Sequence, residues 1–157
     1  MRFKNQSKDN FLKSIPLASI ELPNDTLSKK CKFNFAYFDG NPPGQKFEDW
    51  THANICKLLD KLKAYSQFDL KHWEEDGLLV IYNQFPTHTE FTHPKHVPHQ
   101  ARWGRFRLGN KIRLVGFVLP SSFHQTPHGG TNYNFDCNTF YIVFLDENHK
   151  FYLTERP

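Results

Sequence analysis

Several signatures that would assign this chain to a known class of protein are missing from its sequence. Its three cysteines are an odd number and form no CxxC pair, so neither a zinc ribbon nor a disulfide framework is expected. No apolar run resembles a signal peptide or is long enough to span a bilayer. The glycine patterns of nucleotide-binding loops, the serine-hydrolase motif and the zinc-metalloprotease motif are absent as well. These absences predict a cytoplasmic, bacterial-type protein with no cofactor, no resident metal and no membrane partner.

The composition is that of a globular protein. Its 157 residues are 38% hydrophobic, 16% aromatic and 23% charged, which is enough apolar material for one domain with a sizeable core. The net charge of +4 permits a nucleic-acid partner without requiring one. We predict a partly ordered N-terminal extension over residues 1–30 and a single domain over residues 31–157.

Apolar periodicity predicts the first elements of this domain. Alternating residues predict a strand over residues 31–38. One face of that strand would carry the aromatic side chains Phe33, Phe35 and Tyr37. Apolar residues that recur at helical spacing predict a helix over residues 48–65. That apolar stripe consists of Ile55, Leu58, Leu59 and Leu62.

A second helix is expected to begin with Ser66 as its N-cap, to turn Leu70 and Trp73 inward, and to end before Gly77. The rest of the chain alternates between strands (78–82, the hairpin described next, 139–145 and 150–153) and loops (83–100 and 120–138). Helices followed by a run of strands predict an α+β fold, with the two N-terminal helices packed on one face of a twisted antiparallel sheet. The opposite face would stay open.

The hairpin carries four cations at alternating positions: Arg105, Arg107, Lys111 and Arg113. A two-residue turn would mix these cations with aliphatic side chains on both faces. A three-residue loop, residues 108–110, would instead pair Arg107 with Lys111 and Arg105 with Arg113, and all four cations would share one face. The apolar side chains of the hairpin would then face the core, so the hydrophobic pattern favours this register. Because like charges so close together repel, the arrangement predicts a polyanionic ligand.

Arginine forks match phosphate oxygens and can stabilise charge that develops on them. Arg102 lies beside the predicted basic face and would take part in substrate binding together with Lys111. The competing interpretation is an exposed sheet face with surface ion pairs, but these strands have no acidic neighbours.

A second constellation, residues 149–152, follows the apolar strand. A histidine titrates near neutral pH, so His149 could act as a general acid or base. Tyr152 could orient a phosphate or stack on a base, and Lys150 would add to substrate binding. The competing interpretation is a turn histidine beside an edge aromatic. Trp103 could also stack on a base, although a core tryptophan is the alternative.

The loop over residues 83–100 is rich in histidine. These residues are His88, His93, His96 and His99. Together with Glu90 they could form a metal site, but two prolines stiffen the segment and no helical pair of metal ligands occurs. They could equally cap backbone groups in a polar loop, and His99 could border the basic face and bind substrate.

The order of elements and the hairpin pattern Arg105-Phe-Arg-Leu…Lys111-Ile-Arg-Leu-Val-Gly-Phe117 resemble the RelE/ParE superfamily of bacterial toxins over roughly residues 31–153. Its members are small basic α+β proteins, and the ribonuclease branch cuts mRNA in the ribosome without a metal. The resemblance implies an antitoxin partner. It also implies catalytic roles for five residues of this chain: Arg105, Arg107, Arg113, His149 and Tyr152. The segment 1–30 and the two inserted loops make this chain longer than typical members.

The leading prediction is a toxin-like, metal-independent endoribonuclease that cleaves mRNA, with the ribosome as a further partner. The 2′-hydroxyl would attack the adjacent phosphate while His149, or a histidine of residues 93–99, moves a proton. The alternative is a non-catalytic nucleic-acid- or protein-binding module that uses the same basic face, as in the gyrase-poisoning ParE branch. A histidine-based metalloenzyme is a third hypothesis.

Overall fold

A computed structural model describes residues 5–15, 19–23 and 26–153 of the chain. These residues form three α-helices, α1 (Gln6–Ser14), α2 (His52–Tyr65) and α3 (Leu70–Glu75), and five strands, β1 (Lys32–Asn34), β2 (Leu79–Asn83), β3 (Arg102–Arg107), β4 (Arg113–Val118) and β5 (Thr139–Asp146). The strands build one sheet in the order β1-β5-β4-β3-β2. The predicted α+β class is therefore confirmed. No helix in the described ranges is long and apolar enough to cross a membrane.

The sheet is mixed, whereas the sequence predicted an antiparallel one. β1 runs parallel to β5, and the other neighbouring strands are antiparallel. β1 is also shorter than predicted, and the chain turns directly after it. As a result Phe33 and Tyr37 join different hydrophobic clusters instead of sharing a face, and Phe35 is exposed. The predicted final strand over residues 150–153 is wrong as well, because that segment is irregular.

The N-terminal part of the chain is only partly described. α1 buries none of its residues. Residues 1–4, 16–18 and 24–25 of the predicted extension, and residues 154–157 of the predicted domain, lie outside the described residues. The proposed division at residue 30 therefore stays a prediction.

Helix ends differ from the prediction because other side chains provide the caps. α2 begins after Thr51, whose hydroxyl accepts a hydrogen bond from the Asn54 amide at 3.2 Å. α3 is capped by Asp69, which accepts from the His72 amide at 2.8 Å. Ser66 instead donates to the carbonyl of Leu62 at the end of α2, so its predicted role as an N-cap was wrong.

Two hydrophobic clusters occupy the two sides of the sheet. In the first cluster, side chains of α2 and α3 pack with alternate residues of β3, β4 and β5, and the ring of Tyr65 stacks on Phe106 at 4.6 Å. Leu70 and Trp73 are buried there as predicted. Leu59, which was predicted to belong to the apolar stripe of the first long helix, is 59% exposed and does not join the cluster.

The second cluster covers much of the face that was predicted to be open. Its strand residues include Trp103, Val115 and Phe117, and irregular segments supply Phe91 and Phe151. Each of these five side chains is at most 5% exposed. The cations are therefore confined to the part of this face near the hairpin tip.

The hairpin itself has the predicted faces but a longer loop. Arg107 lies opposite Arg113, and Arg105 lies opposite Val115, so residues 108–112 form a five-residue loop. This register differs by two residues from the predicted one. Because side chains alternate with period two, Arg105, Arg107 and Arg113 still share a face, whereas Lys111 moves into the loop.

Candidate functional site

A narrow cleft lies beside the hairpin tip, on the face that carries the three arginines. It is lined by Tyr82, Arg105, Arg113, Val115, Asp146, His149, Phe151 and Tyr152. Four of the five residues predicted to be catalytic therefore come together from separate parts of the chain. The space enclosed between these side chains is about 0 Å³, so the cleft is a closed seam and not an ordinary ligand pocket. A large substrate would accordingly lie across its mouth.

Tyr82 connects the predicted residues to one another, although the sequence did not predict it as a site residue. Its hydroxyl accepts a hydrogen bond from Nε of Arg105 at 3.3 Å. Its ring stacks on Tyr152, with centroids 4.4 Å apart and planes 15° from parallel. The alternation of side chains along β2 could have pointed to Tyr82. Val80 pairs with Arg105, and Tyr82, two positions further along the strand, lies on the same face.

Arg113 is fixed in the floor of the cleft. Its side chain is buried, and one guanidinium nitrogen, Nη1, donates to the carbonyls of Gly109, Asn110 and Ile112 at 2.9, 3.1 and 3.1 Å. These bonds tie the side chain to the hairpin loop, in which the Ile112 carbonyl also accepts from the Leu108 amide at 3.0 Å. Arg113 therefore holds the hairpin loop and contributes a fixed positive charge to the cleft.

Asp146 is the second site residue that sequence reasoning missed. It lies opposite Arg113 in the sheet and is 1% exposed. Its carboxylate accepts from the amides of Lys150 and Phe151, each at 2.9 Å. Burial raises the pKa of this carboxyl above its ordinary value, against the lowering effect of the two amides. The two bonds bend the chain back after β5.

This bend places His149 and Tyr152 in the cleft. His149 occupies the left-handed region of backbone conformation, with φ of 57°. Just beyond it, Phe151 is buried in the second cluster, which anchors the segment. The carbonyl of Lys150 accepts from the Glu90 amide at 3.3 Å, so the loop over residues 84–101 holds the same segment from the other side.

Three other predicted residues of β3 have different surroundings. Arg107 is exposed at the hairpin tip and does not line the cleft. Arg102 lies on the opposite face, where its Nε donates to Asn83 Oδ1 at 2.9 Å. Trp103 is 1% exposed and packs among the rings of the second cluster, so no face of its ring is available to a base.

The remaining predicted substrate-binding residues also lie outside the cleft. Lys111 is exposed in the hairpin loop. Lys150 forms an ion pair with Glu90, with 3.2 Å between Nζ and Oε2. His99 is exposed in the loop over residues 84–101 and does not line the cleft.

The histidines of that loop make separate contacts. Nδ1 of His93 lies 2.9 Å from the carbonyl oxygen of Pro94, and Nε2 of His96 lies 2.9 Å from that of Tyr37. Across the residues that the structure describes, no three histidine, cysteine or acidic side chains are grouped as ligands for a metal ion. The geometry of the loop therefore favours the interpretation in which its histidines contact backbone groups.

Comparison of the chain with protein-family models, with curated proteins and with solved structures found no match. Inferences about its activity consequently depend on the residues of the cleft itself.

Proposed function

We propose that this protein is a metal-independent endoribonuclease that cleaves mRNA, with the architecture and the toxin activity of the RelE/ParE superfamily. The observation that carries the proposal is the convergence of Arg105, Arg113, His149 and Tyr152 on one cleft. Cations can stabilise the charge that develops during cleavage of an RNA phosphodiester, an imidazole can move the proton, and an aromatic ring can hold a base. The proposed setting is the bacterial cytoplasm, with an antitoxin and the ribosome as partners.

In the proposed reaction, the 2′-hydroxyl attacks the adjacent phosphorus and His149 accepts its proton. The bond from phosphorus to the 5′-oxygen breaks, and this oxygen takes a proton from water as it leaves, so the first product ends in a cyclic phosphate. His149 then releases the proton of the 2′-hydroxyl to water. Arg105 stabilises the charge that grows on the phosphorus oxygens. Arg113 strengthens this field from its fixed position in the floor.

The tyrosine pair gives the cleft a way to hold RNA. Tyr82 and Tyr152 are stacked on each other and partly exposed, and RNA-binding proteins use such rings as platforms for unstacked bases. Arg107, exposed at the hairpin tip, is placed to contact a neighbouring phosphate. His149 is favoured over the histidines of residues 93–99 as the proton acceptor because none of those lines the cleft.

The test compares two arginines of the same strand. Arg105 and Arg102 are both partly buried, and each donates one Nε hydrogen bond to a side chain of β2, but only Arg105 lines the cleft. Arg105→Ala and His149→Ala should each reduce the rate of RNA cleavage by about 10²–10³-fold. Arg102→Ala should cleave RNA and inhibit growth like the wild type.

Cleavage of a defined mRNA would be measured with and without a chelator, together with growth on expression and circular dichroism as a check on folding. A wild-type protein that neither cleaves RNA nor slows growth would refute the proposal, as would equal losses in Arg105→Ala and Arg102→Ala. Salt-dependent RNA binding without cleavage would instead support the alternative, a ParE-like binding module that uses the same face.

A further inference from the structure

A second cavity lies at the other end of β5. It has a volume of about 760 Å³, within the range of small-molecule sites. Its walls come from the segment before β1, the start of α3 and the loop over residues 121–138. The cleft described above is at the Asp146 end of β5 and this cavity is at the Asn138 end, so β5 separates them by about 25 Å.

Asn138 fixes the walls of the cavity relative to one another. Its side-chain amide donates to the carbonyl of Lys29 at 3.0 Å, and its side-chain oxygen accepts from the amide of Leu70 at 3.0 Å. Its own carbonyl accepts from the amide of Lys32 at 3.1 Å. One side chain therefore ties together three segments, and the cavity is formed before any ligand arrives.

The acidic side chains of the cavity already have partners within the protein. Asp136 forms an ion pair with Lys32 at 2.8 Å and accepts from the Asn138 amide at 2.8 Å. Although burial raises its pKa, these hydrogen bonds leave the pKa of Asp136 below its ordinary value, so the group is charged. The other acid, Asp69, caps α3. Lys32 is thus paired with Asp136, and the two remaining cations face one further carboxylate, which leaves a formal excess of one positive charge in the lining.

Those remaining cations are Lys29 and Lys71. Lys71 approaches Glu75 only to 4.0 Å, and both side chains are at least 70% exposed, so water screens this pair. Within the described parts of the chain, the side chain of Lys29 forms no ion pair. The two ammonium groups therefore favour an anion in the cavity.

A neutral donor and an apolar floor complete the site. Nδ1 of His124 accepts from the amide of Cys137 at 3.2 Å, so in the neutral imidazole the proton is on Nε2, which can donate to a ligand. Leu70 and Phe135 line the same cavity. Anion-binding groups thus lie beside apolar surface that suits the non-polar face of a base.

We propose that this cavity binds a small phosphorylated ligand of nucleotide size, with the phosphate at Lys29, Lys71 and His124 and the base against Phe135. The volume, the two lysines and the apolar floor support it, and it does not depend on the ribonuclease activity proposed above. A free nucleotide is favoured over an RNA chain because the volume of the cavity matches one small ligand.

The experiment is titration calorimetry of the full chain with adenosine 5′-monophosphate, adenosine and inorganic phosphate as probes. The monophosphate should bind most tightly, because only it uses both the cations and the floor. Lys29→Ala and Lys71→Ala should each weaken binding by about tenfold. Lys63→Ala, which removes an exposed lysine of α2 outside the cavity, should bind like the wild type.

Both lysines are exposed, so the variants should keep the wild-type melting temperature. The proposal would be overturned if adenosine bound as tightly as the monophosphate or if Lys71→Ala matched the wild type. It would also be overturned if a short RNA bound more tightly than the monophosphate and lost that affinity in Lys29→Ala and Lys71→Ala. Loss of RNA cleavage in other variants would have no bearing on these outcomes.

Discussion

Replacing Asp146 by alanine tests whether this one buried carboxylate holds the candidate site together. The substitution leaves the amides of Lys150 and Phe151 without their acceptor, and the Phe151 amide is in a buried environment. Each amide left without an acceptor costs about 1–3 kcal/mol, so the free energy of unfolding should fall by about 2–6 kcal/mol. Small domains have only about 5–15 kcal/mol in total, so the loss would be large.

The assay is urea unfolding followed by tryptophan fluorescence, with the slope of the transition checked against the wild type. Asp146→Asn keeps one acceptor oxygen and should lose roughly half as much as alanine. Glu90→Ala removes only a half-exposed ion pair from the same segment and should cost less than about 1 kcal/mol. If Asp146→Ala were as mild as Glu90→Ala, the carboxylate would not be what bends the chain after β5.

Two more predictions follow from the same part of the sheet. Since burial raises the pKa of Asp146 above 3.8, the folded state holds this proton more tightly than the unfolded state. The wild type should therefore lose part of its stability advantage over Asp146→Asn as the pH rises from about 3.8 to the folded-state pKa. Urea unfolding of both proteins across a pH series would measure this difference. A difference that grew with pH would contradict the prediction. Gly116→Ala would place a methyl group against the Tyr141 carbonyl and 2.7 Å from the Phe140 ring, so it should lower the melting temperature sharply. Gly129→Ala, which meets nothing within 4 Å, should leave it unchanged, and equal effects would show that β4 can shift to make room.

The hairpin shows which structural features could be predicted from the sequence and which could not. Its apolar residues correctly placed Arg105, Arg107 and Arg113 on one face. They could not decide between a three-residue and a five-residue loop, because a slip of two residues leaves every side chain on the same side. In the structure the longer loop is held by a local contact, because the buried guanidinium of Arg113 binds three carbonyls of this loop.

The covering of the second face was not predictable for a related reason. Phe85, Phe91 and Phe151 come from irregular segments. In such segments apolar residues have no regular spacing from which their burial could be predicted. The role of Asp146 was hidden as well, since it depends on a fold-back of residues 147–151 and not on a strand pattern. In contrast, the sequence could predict that His149 and Tyr152 lie near Arg105, because both residues come directly after the strand that neighbours the hairpin.

The parallel pairing of β1 with β5 has a consequence for the order in which the molecule forms. Lys32 and Asp136, which meet beside this pair, are 104 positions apart in the chain. The hairpin, by contrast, closes over only five residues. Closing a long loop costs more entropy and is slower, so β2 to β5 can assemble before β1 docks. The cavity beside Asn138 would then be completed in the last step, and a ligand bound there would favour a chain that has finished folding.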